Sequence, residues 1–336
     1  MRESCRWNAI GWERHALDIT SLPKVELHCH YDGIVDPAML RALCAAGEPF
    51  PVPADDLEAA LPVRGLDDFM RWFAVADVGS MDLRPFVPVL QAHVDRLRAQ
   101  NVQYAEIYTS IPRGSPDTAE GMRRFAESVR EREAGETQIE FVIQIGRGGA
   151  PERLQAKVEE ATALHAAGLV VGIAIAGPEQ DHPIRPHTRA MRFAHDAGVP
   201  IEIHAGEWCG AESVWDALEY GYPSRVGHGV AIFEDEALVR RFRDEQIHIE
   251  MCPSSNVATG SVERLSDHPI RRAFDMGLNV GVNTDDPGAF MCSMDSEYRL
   301  LVDEFGFTAE ELDVLRRNAL GARFQPTLRV PIDGVD

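Results

Sequence analysis

Apolar residues in this chain of 336 residues gather in eight short runs, at 25–28, 102–108, 139–145, 170–176, 200–204, 225–229, 247–251 and 279–283. Each is rich in small or β-branched residues and lacks sustained polar alternation, so each reads as a strand buried on both faces, the habit of parallel sheets. Between most of them the pattern changes to a helical period. LQAKVEEATALHAAG closes on Gly168 and TRAMRFAHDAG on Gly198, both placed as C-terminal caps, while EDEALVRRFRDEQ carries acids in its first turn and arginines later, as the helix dipole favours. Strand and helix alternating through eight repeats predict an α/β fold, a (β/α)8 TIM barrel. An open doubly wound sheet would place a Gly-rich fingerprint after the first strand, and none is there.

One connection is long. Residues 31–100, between the first and second strands, hold the Pro-rich stretch PFPVPADD and two or three helical patterns, a helical excursion from the barrel. In GLDDFMRWFAVAD, Phe69, Trp72 and Phe73 fall on one face. They are expected to anchor the excursion, with an apolar lid over a planar substrate as a further use. Without repeats, low-complexity tracts or a linker, one barrel domain over 1–336 is expected.

Composition narrows the partners. A formal charge of -21 and a pI near 5.0 oppose binding to a phosphate backbone, so no nucleic acid is expected and a small neutral substrate is favoured. The N-terminus does not read as a signal peptide, and no apolar run approaches the ~18 residues of a membrane span. No membrane association and a cytoplasmic location are expected. Cys5, Cys29, Cys44, Cys209, Cys252 and Cys292 show no CxxC spacing, so reduced thiols fit best, and Cys29 reads as core packing because it points away from its neighbours in a strand.

The chemistry lies where the apolar runs end. His28 and His30 close KVELHCH, His204 closes IEIH, His228 lies in VGHGV, and Asp285 and Asp286 follow in VNTDDP. In a barrel all these strand ends open on one face. His28 and His30 share a side of their strand and can grip one ion, although an HxH at a first strand also suits metal-dependent phosphoesterases. His204 and Asp285 complete three imidazoles and a carboxylate with a position left for water, a donor set that suits catalytic zinc. The fourth strand has no Lys to bridge two metals, so one Zn2+ per chain is the simpler expectation. Glu207, three residues past His204, is placed for general acid/base work, and His228 for holding the attacking water. Asp286 is expected to hydrogen-bond substrate, the alternative being a helix cap before Pro287.

In this order and spacing, KVELHCHYDG, IAIAGPE, EIHAGE, GHG, CPSSN and NTDDP resemble the adenosine deaminase family of the amidohydrolase superfamily, a likeness running from Pro23 to about Phe324. The resemblance implies that His28, His30, His204 and Asp285 bind the zinc. It implies that Glu207 protonates the purine ring nitrogen beside the amino-bearing carbon and that His228 orients the attacking hydroxide. By the same likeness Asp286 meets the imidazole side of the purine, the backbone of Gly177 its far edge, and Asp32 a ribose hydroxyl. The implied substrate is a small-molecule purine nucleoside, adenosine or a 5'-modified adenosine, converted to its hypoxanthine form with release of ammonia. Family enzymes for free adenine tend to carry Glu where Asp32 stands, so Asp32 favours a nucleoside; aminodeoxyfutalosine, a carboxyphenyl-bearing nucleoside, is one alternative and free adenine another. The His/Cys/Cys site and PCxxC signature of the small zinc deaminases are absent. Departures from the family pattern are Tyr31 before Asp32, Ile107, Ala174 and the large Trp208 after Glu207. Arg147, in IGRGG, reads as a solvated loop residue, with contact to an acidic substituent as the alternative.

Overall fold

The computed structural model describes residues 17–48, 50–76, 86–111 and 117–332; Cys5 and most of the N-terminal segment read above lie outside them. Eight strands run in sequence order around one sheet, every neighbouring pair parallel: β1 Lys24–His30, β2 Val102–Thr109, β3 Gln138–Gly146, β4 Gly172–Ala176, β5 Ile201–Ala205, β6 Arg225–His228, β7 His248–Met251 and β8 Val280–Val282. Each overlaps one of the eight apolar runs. The barrel closes through backbone contacts between β1 and the residues after β8: the Asp285 N–H donates to the His28 carbonyl and the His30 N–H to the Asp285 carbonyl, both at 2.9 Å.

Period two explains both faces of β1. Val25 and Leu27 pack in a cluster with Ala319 and Leu320 of the final helix, and Cys29 joins the main core, so the thiol is packing as expected. Glu26, His28 and His30 take the alternate positions, which in a barrel face inward.

The excursion after β1 comprises α1 Pro37–Ala45, α2 Ala54–Ala59, α3 Leu66–Ala76 and α4 Phe86–Ala99. Around the remaining barrel run α5 Thr118–Arg130, α6 Pro151–Ala166, α7 Thr188–Asp196, α8 Ala211–Tyr220, α9 Glu236–Glu245, α10 Pro253–Ala258, α11 Ile270–Asp275, α12 Pro287–Phe290, α13 Met294–Phe305 and α14 Ala309–Ala322. Caps set several of these boundaries. Asp36 and Asp117 accept backbone N–H groups at the starts of α1 and α5, and Ser293 and Thr308 form capping boxes at α13 and α14. No helix among the described residues is long and apolar enough to cross a membrane. In α3 the three aromatics divide their work: Trp72 is wholly buried in the core, while Phe69 and Phe73 line the cavity at the strand ends.

Candidate active site

At the carboxyl ends of β1, β5 and β8 four donor atoms converge. His30 Nε2 lies 3.2 Å from His28 Nε2 and 3.2 Å from His204 Nε2, while Asp285 Oδ1 lies 3.3 Å from His28 Nε2 and 3.1 Å from His30 Nε2. Tetrahedral donors at the 2.0–2.1 Å typical of zinc would stand roughly 3.3 Å apart, so the spacing fits one ion of that size. Nε2 lone pairs and a carboxylate held this close repel one another unless a cation lies between them.

Every donor is braced from behind. His28 Nδ1 lies 2.8 Å from a Glu250 carboxylate oxygen, His30 Nδ1 2.8 Å from the Gln144 amide oxygen, and His204 Nδ1 3.0 Å from Glu202. Ser255 donates its hydroxyl to the other oxygen of Asp285 at 2.6 Å. With each Nδ1 facing an acceptor, the proton sits there and Nε2 is left free to coordinate. Asp285 itself has a left-handed backbone, φ 66, as does His228, φ 59. Both strained residues stand at the strand ends, where function gives strain a use.

Beside the four donors lie Glu207 and His228, both buried, with His228 Nε2 3.5 Å from a Glu207 oxygen. Asn256 faces His228 Nδ1 through its amide nitrogen at 3.2 Å, and its own amide oxygen is engaged by His268, which assigns the His228 proton to Nε2. Burial holds His228 neutral, its pKa lowered to about 3. Burial, with the negative charges of Asp285 and Glu179, pushes the Glu207 carboxyl well above the ordinary carboxylate range. A buried acid that keeps its proton therefore stands next to a neutral imidazole donor.

These groups open into a cavity of about 580 Å3 whose walls include Phe69, Phe73, Gly177, Trp208, Asp32 and Asp286. Asp32 Oδ1 and Asp286 Oδ1 are buried without a hydrogen-bond partner among the described residues. Asp286 occupies the cap position of α12 but makes no capping bond, so the helix-cap alternative fails. Gly33 makes room for it, since a Cβ there would meet Asp286 Oδ1 at 1.8 Å. Gly177, at φ 98, exposes bare backbone to the cavity, and its Cβ would meet nothing nearer than Arg147 N at 3.9 Å.

Residues 23–329 match the sequence profile of the family described as adenosine deaminase. The chain is 33% identical over 313 residues to an adenine deaminase of Rhizobium johnstonii, covering 90% of this chain and 95% of that one. It belongs to the adenosine deaminase family. Another relative, the adenine deaminase of Agrobacterium fabrum, is 32% identical over 90% of this chain and 94% of its own length. Among solved structures, an adenine deaminase from Arthrobacter aurescens superposes with a TM-score of 0.77 at 25% identity, covering 91% of this chain and 94% of that one. An amidohydrolase from Burkholderia ambifaria with bound Zn gives a TM-score of 0.78 at 24% identity, covering 91% and 87%, a likeness of fold. As a member of this family the chain is a metal-binding hydrolase of amidine carbon–nitrogen bonds and a hydrolytic purine deaminase.

The structure brings all nine sequence-predicted residues of this deaminase to one face, and corrects one reading. Arg147 is not a solvated loop residue. It is 1% exposed, and its guanidinium donates to the His204 carbonyl, because the loop after β3 folds over β4 and β5, with the Arg147 N–H bonded to the Ala176 carbonyl. Tyr31 is buried against Phe86 and bonds Ser110, and Ala174 packs in a small cluster with Tyr108 and Phe324, so neither departure reaches the cavity wall. Sequence reading missed Gln144, Glu202, Glu250 and Ser255. Glu202 was recoverable, since it precedes His204 by two and must share its face. Gln144 and Glu250 lie on other strands and carried no local signal, and Ser255, in α10, was quoted within CPSSN without a role of its own.

Proposed function

We propose that this deaminase removes the 6-amino group of a purine nucleoside, adenosine or a 5'-modified adenosine, using one Zn2+ held by His28, His30, His204 and Asp285. The observation that carries the reading is the four-donor cluster with a protonated carboxyl, Glu207, and a neutral imidazole, His228, beside it. When bound, the ion supplies Lewis acidity that makes water nucleophilic near neutral pH.

The chain's own residues do the rest. Glu207 gives its proton to the ring nitrogen next to the amino-bearing carbon, drawing electrons away from that carbon. His228 donates its Nε2 proton as a hydrogen bond toward the attacking oxygen and orients it. Asp286, its carboxyl pushed up by burial and by Asp285 and Asp32, keeps a proton with which to meet the imidazole side of the purine. Gly177 offers backbone to the far edge, and the unpartnered oxygen of Asp32 takes a ribose hydroxyl. One water is consumed: its oxygen forms the new carbon–oxygen bond, and its two protons pass through Glu207, one to the amino nitrogen as the carbon–nitrogen bond breaks and ammonia leaves, the other restoring the carboxyl that protonated the ring.

Two features favour a nucleoside: the cavity is larger than a purine ring fills, and Asp32 stands at its wall. Free adenine is the second reading, favoured by the activity named for the relatives at 32–33% identity. Among the described residues lining the cavity there is no Lys or Arg, and Arg147 is committed to the His204 carbonyl, so nothing there attracts the carboxylate of aminodeoxyfutalosine. Reduced thiols and the acidic surface suit a cytoplasmic location. The test is ammonia release from adenine, adenosine, deoxyadenosine, methylthioadenosine and aminodeoxyfutalosine at known zinc content. The nucleosides should give the highest kcat/KM, and a clear lead for adenine would replace them.

A further inference from the structure

The loop after β4 contributes one more carboxylate to the site, and it touches neither the metal donors nor the cavity. Glu179 is 5% exposed. Its Oε1 accepts the backbone N–H groups of Glu207 at 2.7 Å and Trp208 at 3.0 Å; its Oε2 accepts that of Gly206 at 2.8 Å and the hydroxyl of Ser213 in the first turn of α8. Three successive backbone N–H groups form a concavity that suits an anion, and here the anion is supplied by the protein. The turn so held joins His204 to Glu207. It needs Gly206, whose φ is 71 and whose Cβ would lie 2.6 Å from Val214. On the other side Arg147 holds the carbonyl of His204, so both ends of the turn are tied to charged, buried side chains.

We propose that Glu179 is a positioning residue for deamination: it fixes the distance between the His204 imidazole and the Glu207 carboxyl. It also holds the Trp208 indole as the wall between the catalytic cavity and a neighbouring cavity of about 1060 Å3, both of which Trp208 lines. The inference rests on the role of Glu207 proposed above. Without a charged acceptor the three N–H groups would be buried unpaired or would turn toward water, and the turn would relax to satisfy them. A shift of the acid by about 1 Å is enough to cost on the order of 10²-fold in rate.

The experiment pairs Glu179→Gln with Ser213→Ala in the zinc-loaded protein. In Glu179→Gln the amide nitrogen opposes a backbone N–H, so kcat should fall about 10²-fold while KM stays within about threefold and zinc content is kept. The amides of Gly206, Glu207 and Trp208 should exchange hydrogen at least about tenfold faster, while β1 and β5 amides keep their protection. Ser213→Ala removes a single donor and should lower kcat about threefold without loss of metal, which keeps the test open if Glu179→Gln does not fold. Unchanged kcat, unchanged exchange of the three amides, or a kcat loss that only tracks loss of zinc would each overturn the proposal. A wild-type protein that released no ammonia from any aminopurine would refute the deaminase reading of the site, while the exchange measurement would still decide whether Glu179 holds the turn.

Discussion

The two ends of the barrel each bury a cluster of ionisable groups, and the clusters are built in opposite ways. Toward the amino ends of the strands, Arg225 at the start of β6 bonds Glu106 of mid-β2 at 2.7 Å, lies 2.5 Å from Glu250 near the end of β7 without hydrogen-bond alignment, and stacks on Phe324, its centre 3.5 Å from the ring centroid. Opposite charges face each other there, and Tyr104 donates to Glu106. At the carboxyl ends three imidazoles and Asp285 turn their lone pairs toward a common point, and Asp32 and Asp286 each keep an unpaired oxygen. A buried cluster complete in itself serves the fold, whereas one that lacks a cation and hydrogen-bond partners is shaped for what it binds. Glu250 belongs to both, taking Arg225 on one side and the His28 ring on the other, so the closed cluster braces the open one.

Breaking the open cluster should have the largest effect on turnover. Chelation of the metal is expected to abolish ammonia release, with recovery on adding zinc, and to lower Tm. At metal concentrations about 100-fold above Kd the bound ion contributes about 2.7 kcal/mol. Glu207→Gln should lower kcat by about 10³-fold, within the span of general acid catalysis, with metal content and Tm little changed. Retained turnover in that variant would remove Glu207 from its role.

The closed cluster should answer in stability. Arg225→Met leaves Glu106 and Glu250 buried without their cation and is expected to cost about 3–5 kcal/mol in denaturant unfolding. A loss of turnover at full stability would show instead that the two ends are coupled mainly through the His28 bracing.

Acid should test both ends, through one buried histidine at each: His248 beside the closed cluster and His268 behind Asn256 and His228. Burial lowers the pKa of His248, at the start of β7, to about 4, and that of His268 to about 3. Both are neutral in the fold and titrate near 6.5 when unfolded, so the stability they contribute is present above about 6.5 and is lost as pH falls from there toward 4 and then 3. Tm measured between pH 7 and 4 should fall steadily, and a flat curve would contradict their burial as neutral rings. Among residues lining the catalytic cavity the smallest expected effect is that of Asp286→Asn, about tenfold in kcat/KM, since the amide retains a donor for the substrate.

Much of this was legible along the chain because local patterns record it. Each of the eight runs became a strand because unbroken apolar stretches suit a sheet covered on both faces, and the ligands stand out because polar residues at the ends of such stretches are costly unless used. Arg147 was misread because a Gly-flanked arginine looks solvated, and only the loop's return over β5 gives its guanidinium the His204 carbonyl. Glu179 drew no notice beyond its motif because its partners are backbone N–H groups 27 to 29 residues away, and backbone carries no side-chain signature.

By itself the sequence determined the alternation of strand and helix, the donor types and their place at strand ends, since these follow from period, side-chain chemistry and spacing. Tertiary structure alone decided which second atoms each donor leans on, that Asp286 makes no cap and keeps one oxygen unpaired, and that Trp208 lines two cavities. The physical reason is that such choices depend on distances between segments far apart in the chain, and those distances exist only once closure of the barrel has fixed the register of all eight strands.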